Sequence, residues 1–168
     1  MGKVLMIIAP RNFRDEELFH TKEELEAAGN SVMIASTTTG TASGMLDGTA
    51  KPDITINEVN VDDYDAVVFV GGTGSSIYFN DQKAHKIAKT ANEKGKLVCA
   101  ICIAPSTLAN AGLLRGKKAT SYPSEEGNLR SKGANFTGNS VEKDGNIITA
   151  TGPSAAREFG RTIAKSLT

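Results

Sequence analysis

The stretch Lys96–Leu108, KLVCAICIAPSTL, decides how the chain is read. Leu97–Ile101 is a short apolar run of strand type, and it passes at once into Cys102 and a helix-forming segment. Pro105 falls in the first turn of that helix, where its missing N–H costs nothing. A cysteine on such a strand-to-helix corner is held out of the sheet, beside free helix N–H groups that favour a thiolate or an oxyanion. Cys102 is therefore the candidate nucleophile.

Outward from the corner the chain alternates. Upstream, Lys3–Ala9 reads as an apolar strand, Asp15–Ala28 as a helix with Leu18, Leu25 and Ala28 on one face, and Asn30–Ser36 as the next strand. Asp65–Val70 is a buried strand running into Gly71-Gly72-Thr73-Gly74, and Gln82–Lys94 is a helix. Downstream, a helix should close near Ala111 on Gly112. Lys118–Tyr122 reads as a strand, Glu125–Lys132 as a short helix, Val141–Ala150 as a hairpin about Asp144-Gly145, and Ser154–Leu167 as the last helix. Thr37–Asn57 is polar and glycine-bearing, with an Asp47-Gly48 turn signal. It is expected to be a hairpin or irregular excursion at a sheet edge, and a candidate interface or lid. Near-continuous apolar strands alternating with helices predict a doubly wound α/β sandwich, a mostly parallel sheet covered on both faces, in one domain over residues 1–168.

In such sheets ligands bind at the carboxyl ends of the strands. That edge gathers three loops: Pro10–Glu17, Gly71–Ser76 and Cys102–Ser106. The glycine loop lacks both G-x-G-x-x-G and the lysine-bearing phosphate loop, so nucleotide binding is poorly supported. Its glycines either only make a tight turn or present the Gly72 or Thr73 N–H, with that of Ile103, as an oxyanion hole facing Cys102.

Composition narrows the function. The 168 residues carry 19 Lys and Arg against 19 Asp and Glu, with no basic block, which argues against nucleic acid. No apolar run approaches the roughly 20 residues of a membrane span, and the amino terminus lacks a secretory leader, so a cytoplasmic protein is expected. Cys99 and Cys102 are spaced C-x-x-C, yet Cys99 lies inside the strand run. Extended backbone would hold their Cα atoms about 10 Å apart, beyond the roughly 7 Å that a disulfide spans. Cys99 is expected in the core. No second pair of ligands accompanies the two cysteines, so no metal is expected, and no cofactor.

AICIAPSTLANAGLLRGKKATSYP, the preceding VVFVGGTG, the early FRDEELFHTKEELEAAG and the closing VEKDGNIITATGPSAAREFG together resemble the ThiJ/PfpI superfamily along essentially the whole chain. The closing pattern is more similar to the branch containing the Parkinson-disease-associated deglycase than to the intracellular-protease branch. The resemblance implies a flavodoxin-like three-layer α/β/α sandwich of the class I glutamine-amidotransferase type, and a homodimer. It also implies that Cys102 is the reactive cysteine and that Glu17 is the glutamate contacting it. On pattern alone Glu17 would belong to a solvated helix face, among Asp15, Glu16, Glu23 and Glu24. A carboxylate beside a thiolate is repelled by it, so the resemblance implies a shared proton, with Glu17 protonated while Cys102 stays ionised.

Two departures from the family pattern bear on chemistry. Members with peptidase-like triads carry a histidine after the cysteine or elsewhere at the site, and here the next residue is Ile103. His20 and His85 lie in expected helices, with solvated or capping roles. The deglycase branch often has a histidine where this chain reads TSYP, so Tyr122 takes that place, a pocket wall or hydrogen-bond donor with an ordinary pKa of about 10 and hence an inefficient base. Two functions stay open. The first is a cysteine-dependent enzyme on reactive aldehydes or glycated adducts, glyoxalase- or deglycase-like, with Cys102 as nucleophile and Glu17 as proton partner. The second is an oxidative-stress sensor or chaperone-like protein in which an oxidant converts Cys102 to sulfinic acid. Both need a partly exposed thiol of low pKa. An intracellular cysteine peptidase is a distant third, disfavoured by Ile103.

Overall fold

The computed structural model describes residues 1–168. In chain order the elements are β1 (Lys3–Ile7), β2 (Arg11–Phe13), α1 (Asp15–Ala27), β3 (Ser31–Ser36), β4 (Ala42–Gly44), β5 (Thr49–Ala50) and β6 (Ile54–Thr55). There follow β7 (Ala66–Phe69), α2 (Gln82–Glu93), β8 (Leu97–Ile101), α3 (Pro105–Asn110), β9 (Lys118–Ala119), α4 (Glu126–Ser131), β10 (Asn135–Phe136), β11 (Val141–Asp144), β12 (Ile147–Ala150) and α5 (Ala156–Ser166). Short 3-10 turns link several of them.

Seven strands form the central sheet in the order β11-β12-β8-β7-β1-β3-β6. Every neighbouring pair is parallel except the β11–β12 hairpin. The alternation within β1 shows why the sheet is buried on both sides. Leu5 and Ile7 belong to a core that also holds Ile87 of α2, Leu108 of α3 and Leu129 of α4. Val4, Met6 and Ile8 belong to a second core with Leu18 and Leu25 of α1 and Phe159 and Ile163 of α5. Burying each such side chain is worth about 1.5–3 kcal/mol, so both helical layers are held by the period-two pattern of the strands. In α2 the buried residues Ala84, Ile87, Ala88 and Ala91 recur at helical spacing, and the Asp81 carboxylate caps the start by accepting from the Ala84 N–H. This is the doubly wound α/β sandwich that the strand runs predicted, in the flavodoxin-like form that the resemblance implied.

Five segments differ in detail from the expectations. Thr37–Asn57 does contain a hairpin, β4–β5, turning at Asp47 with φ 67°, but it joins β2 in a separate small sheet while β6 takes the edge of the central one. The segment Arg11–Phe13, read as loop, is the strand that recruits it. The expected strand Lys118–Tyr122 pairs only over Lys118–Ala119, with β10, because Thr120 instead donates its N–H to the Thr149 hydroxyl. The helix after Cys102 ends at Asn110, and that expected over Glu125–Lys132 runs over Glu126–Ser131, behind a 3-10 turn.

From β1 the chain builds outward through β3 and β6, then returns to lay β7 on the other side of β1 and continues through β8 to β12. The strand order therefore reverses beside β1. The carboxyl ends of β1, β7 and β8 meet at that reversal, and the loops leaving them carry the site.

Candidate active site

Cys102 sits immediately after β8 with φ 67°, a left-handed conformation that a non-glycine residue adopts only where its surroundings enforce it. Both of its backbone groups are fixed. Its N–H donates to the Ala150 carbonyl at 3.0 Å, and its own carbonyl accepts from the Tyr122 N–H at 2.8 Å. The strained corner is thus clamped between β12 and the segment before α4, and the residue is 8% exposed.

The glycine loop closes over it. A Cβ on Gly71 would lie 2.4 Å from Glu17 Oε1, 2.6 Å from Cys102 Cβ and 2.6 Å from the Ile101 carbonyl oxygen, so only glycine permits this approach. Gly72 has φ 100°, and a Cβ there would meet the Arg14 nitrogen at 2.3 Å. The Arg14 N–H in turn donates to the Gly71 carbonyl at 3.0 Å, tying the loop to the start of α1. Glu17 follows in the first turn of α1 and is wholly buried.

The electrostatics differ from the expected acidic thiol. Burial lifts the Glu17 carboxyl to about 8. No donor reaches either of its oxygens with hydrogen-bond geometry, although the Cys102 thiol and the Gly71 N–H lie close enough to favour its charge. Burial, and then the Glu17 charge, push the Cys102 thiol up to about 12, while the Gly72 and Ile103 N–H groups act in the opposite sense. The pair titrates as a unit, so its first proton is lost near 8 and the second far above that. In the singly ionised pair the Gly72 and Ile103 N–H groups favour charge on sulfur, and the Gly71 N–H favours charge on the carboxylate. A thiolate beside a protonated Glu17 is one of the two forms of that singly charged pair, open from mildly alkaline pH rather than populated throughout the neutral range.

A cavity of about 250 Å³ opens over the sulfur. Cys102, Gly72, Thr73, Ile103 and Tyr122, all singled out in the sequence, line it together. Glu17 lies beneath it rather than on its wall. Tyr122 is 47% exposed. Sequence reasoning missed Arg14, Met45, Ser124 and Pro153, which complete the lining. Met45 is delivered by the β4–β5 hairpin, whose Leu46 and Gly48 N–H groups donate to the Asp15 carboxylate at 2.8 and 2.7 Å. An acidic residue two before Glu17 was a visible signal, with its partner hidden 31 residues away. Neither histidine lines the cavity: the His85 ring is hydrogen-bonded to the Phe79 carbonyl at 2.8 Å, and His20 lies on α1. Cys99 is fully buried in the sheet core, and both cysteines are free.

Comparison with known proteins agrees with this architecture. The deglycase of Pyrococcus horikoshii is 34% identical over 98% of this chain and 99% of its own length. The ThiJ/PfpI domain protein of Brachyspira murdochii superposes with a TM-score of 0.96 at 34% identity, covering 98% of this chain and 95% of that one. DJ-1beta of Drosophila melanogaster superposes at 0.91 and 32% identity, covering 98% and 89%. The model of the DJ-1/PfpI family matches residues 2–166. With its sheet, its cysteine corner and these relatives taken together, the chain belongs to the DJ-1/PfpI family, in its DJ-1-like branch.

Proposed function

We propose that the protein is a cysteine-dependent enzyme acting on small reactive aldehydes or glycated adducts, with Cys102 as nucleophile and Glu17 as its proton partner. One observation carries the reading: a fully buried, unpartnered carboxyl lies directly beneath a cysteine that a strained corner aims into a small cavity. The relatives named as deglycases support the same substrate class.

In the reactive form the sulfur is ionised and Glu17 holds the remaining proton. The sulfur adds to the aldehyde carbon, so that an S–C bond forms and the carbonyl π pair moves onto oxygen. The Gly72 and Ile103 N–H groups stabilise that oxyanion. Glu17 then hands it a proton, leaving a neutral hemithioacetal and a carboxylate ready to take a proton back from carbon. A cavity of about 250 Å³ suits a substrate of a few heavy atoms.

The test is turnover of methylglyoxal followed by proton NMR. Parent protein should consume it with a defined product, and Cys102→Ala and Glu17→Gln should each lose at least about a hundredfold of the rate. Full turnover by Cys102→Ala would overturn the proposal.

A second reading draws support from the unpartnered Glu17 oxygens, which could hydrogen-bond the oxygens of a sulfinic acid on Cys102. Mass spectrometry after peroxide should then show Cys102 stopping two oxygens up in the parent, and passing to three in Glu17→Ala. Failure to stop there would remove the sensor reading. The homodimer and the cytoplasmic setting stay part of the proposal. No helix is long and apolar enough to cross a membrane.

A further inference from the structure

Among the nine residues lining the cavity over Cys102, Arg14 is the only one with a permanent charge. Its side chain is ordered rather than free. Nε and Nη2 donate to the two Glu16 carboxylate oxygens at 2.9 and 3.0 Å, with the arginine side chain 28% exposed. Its backbone is anchored as well, through the N–H donated to Gly71. A guanidinium offers five N–H donors. Glu16 engages two of them, and the remaining three, both on Nη1 and one on Nη2, are left without a protein acceptor. Apart from the Cys102 thiol the other lining groups are apolar, hydroxyl-bearing or glycine; of the two carboxyls nearby, Glu16 is engaged by the Arg14 fork and Glu17 is buried beneath the sulfur and neutral below about 8. No fixed negative charge on the cavity wall opposes an anion.

We propose that Arg14 is a specificity residue that binds a carboxylate on the electrophile, so that Cys102 prefers aldehydes bearing a carboxylate one or two carbons from the carbonyl. This rests on the reading of Cys102 as the nucleophile and names the class of substrate it takes. The covalent step is unchanged: sulfur bonds to the aldehyde carbon, the π pair moves to oxygen, and Glu17 supplies the proton. The carboxylate is not consumed. Held by Arg14, it fixes which carbonyl face meets the sulfur and brings the carbonyl oxygen under the Gly72 and Ile103 N–H groups. Glu16 orients the fork but weakens its pull on an anion.

The test compares alkylation of Cys102 by iodoacetate and by iodoacetamide, followed by peptide mass spectrometry at one pH and ionic strength. Both reagents draw on the same thiolate, so its fraction cancels in the ratio of their rate constants. In the parent that ratio should exceed the ratio for the same cysteine in the urea-unfolded chain. It should fall about fivefold or more in Arg14→Gln, rise in Glu16→Gln, and shrink with added salt. Glyoxylate should also protect Cys102 at lower concentration than methylglyoxal in the parent, with that order lost in Arg14→Gln. A ratio equal in parent and Arg14→Gln overturns the role of Arg14 and leaves the nucleophile standing. If neither reagent modifies Cys102 in the folded protein, the nucleophile falls and the inference with it.

Discussion

Replacing Glu17 by glutamine should stabilise the protein, and only above acid pH. The carboxyl titrates at an ordinary 4.5 when exposed, and burial holds it protonated in the fold until the Cys102–Glu17 pair loses its first proton near 8. Below 4.5 it is protonated in both states and contributes no pH dependence. As pH rises toward 8 the unfolded chain ionises while the folded one stays protonated, so the folded state binds more protons and loses stability with pH. Each pH unit costs about 1.4 kcal/mol, which makes about 3 kcal/mol at pH 7, levelling near about 5 kcal/mol above pH 8. Glutamine keeps the shape and cannot ionise. Any constant cost of burying its amide shifts the whole curve without tilting it, so the slope isolates the charge. Urea unfolding of the parent and Glu17→Gln at half-unit steps from pH 4 to 9 should give curves that diverge upward in favour of the variant between about 5 and 8. At pH 7 this corresponds to roughly 6–12 °C in melting temperature for a chain of this size. A difference that is flat across the range would refute the reasoning, since Glu17 would then be ionised, or solvated, in the fold.

Gly71→Ala should cost about 1–3 kcal/mol in urea unfolding and abolish Cys102 alkylation, because its methyl would displace both Glu17 Oε1 and Cys102 Cβ; a reactive, fully stable variant would contradict the close approach. Asp15→Asn should loosen the β4–β5 hairpin by leaving the Leu46 and Gly48 N–H groups a weaker acceptor. Faster hydrogen exchange at Met45–Gly48 would show it, and unchanged exchange would deny Asp15 that role. Sedimentation should give twice the 17.6 kDa chain mass, and a clean monomer would remove the proposed homodimer.

Much of this was legible in the sequence, for physical reasons that differ by element. Strands such as Val4–Ile7 and Val67–Phe69 declare themselves because burial on both faces leaves no polar position in the run. The corner at Cys102 is legible because a strand run, a cysteine and a first-turn proline fall together. Glu17 is different. Asp15, Glu16 and Glu17 are chemically alike and adjacent, and only their angular positions on α1 separate a hairpin anchor, an arginine partner and a buried acid. The resemblance singled out the third; the first two needed the fold. Arg14 was hidden because its significance is a cavity wall assembled from six separate segments. The titration of the pair was misjudged because local charge is visible in a sequence and desolvation is not.

Reactivity of Cys102 turns on where the charge sits when the Cys102–Glu17 pair loses its first proton. One pH titration can follow the thiolate ultraviolet absorbance, with Cys102→Ser subtracted, together with the infrared carbonyl stretch of protonated Glu17, assigned by its loss in Glu17→Gln. Thiolate absorbance should rise as the pair loses its first proton, while the protonated-carboxyl band persists. Loss of that band instead, with no thiolate appearing, would place the charge on Glu17 and leave Cys102 an unreactive thiol.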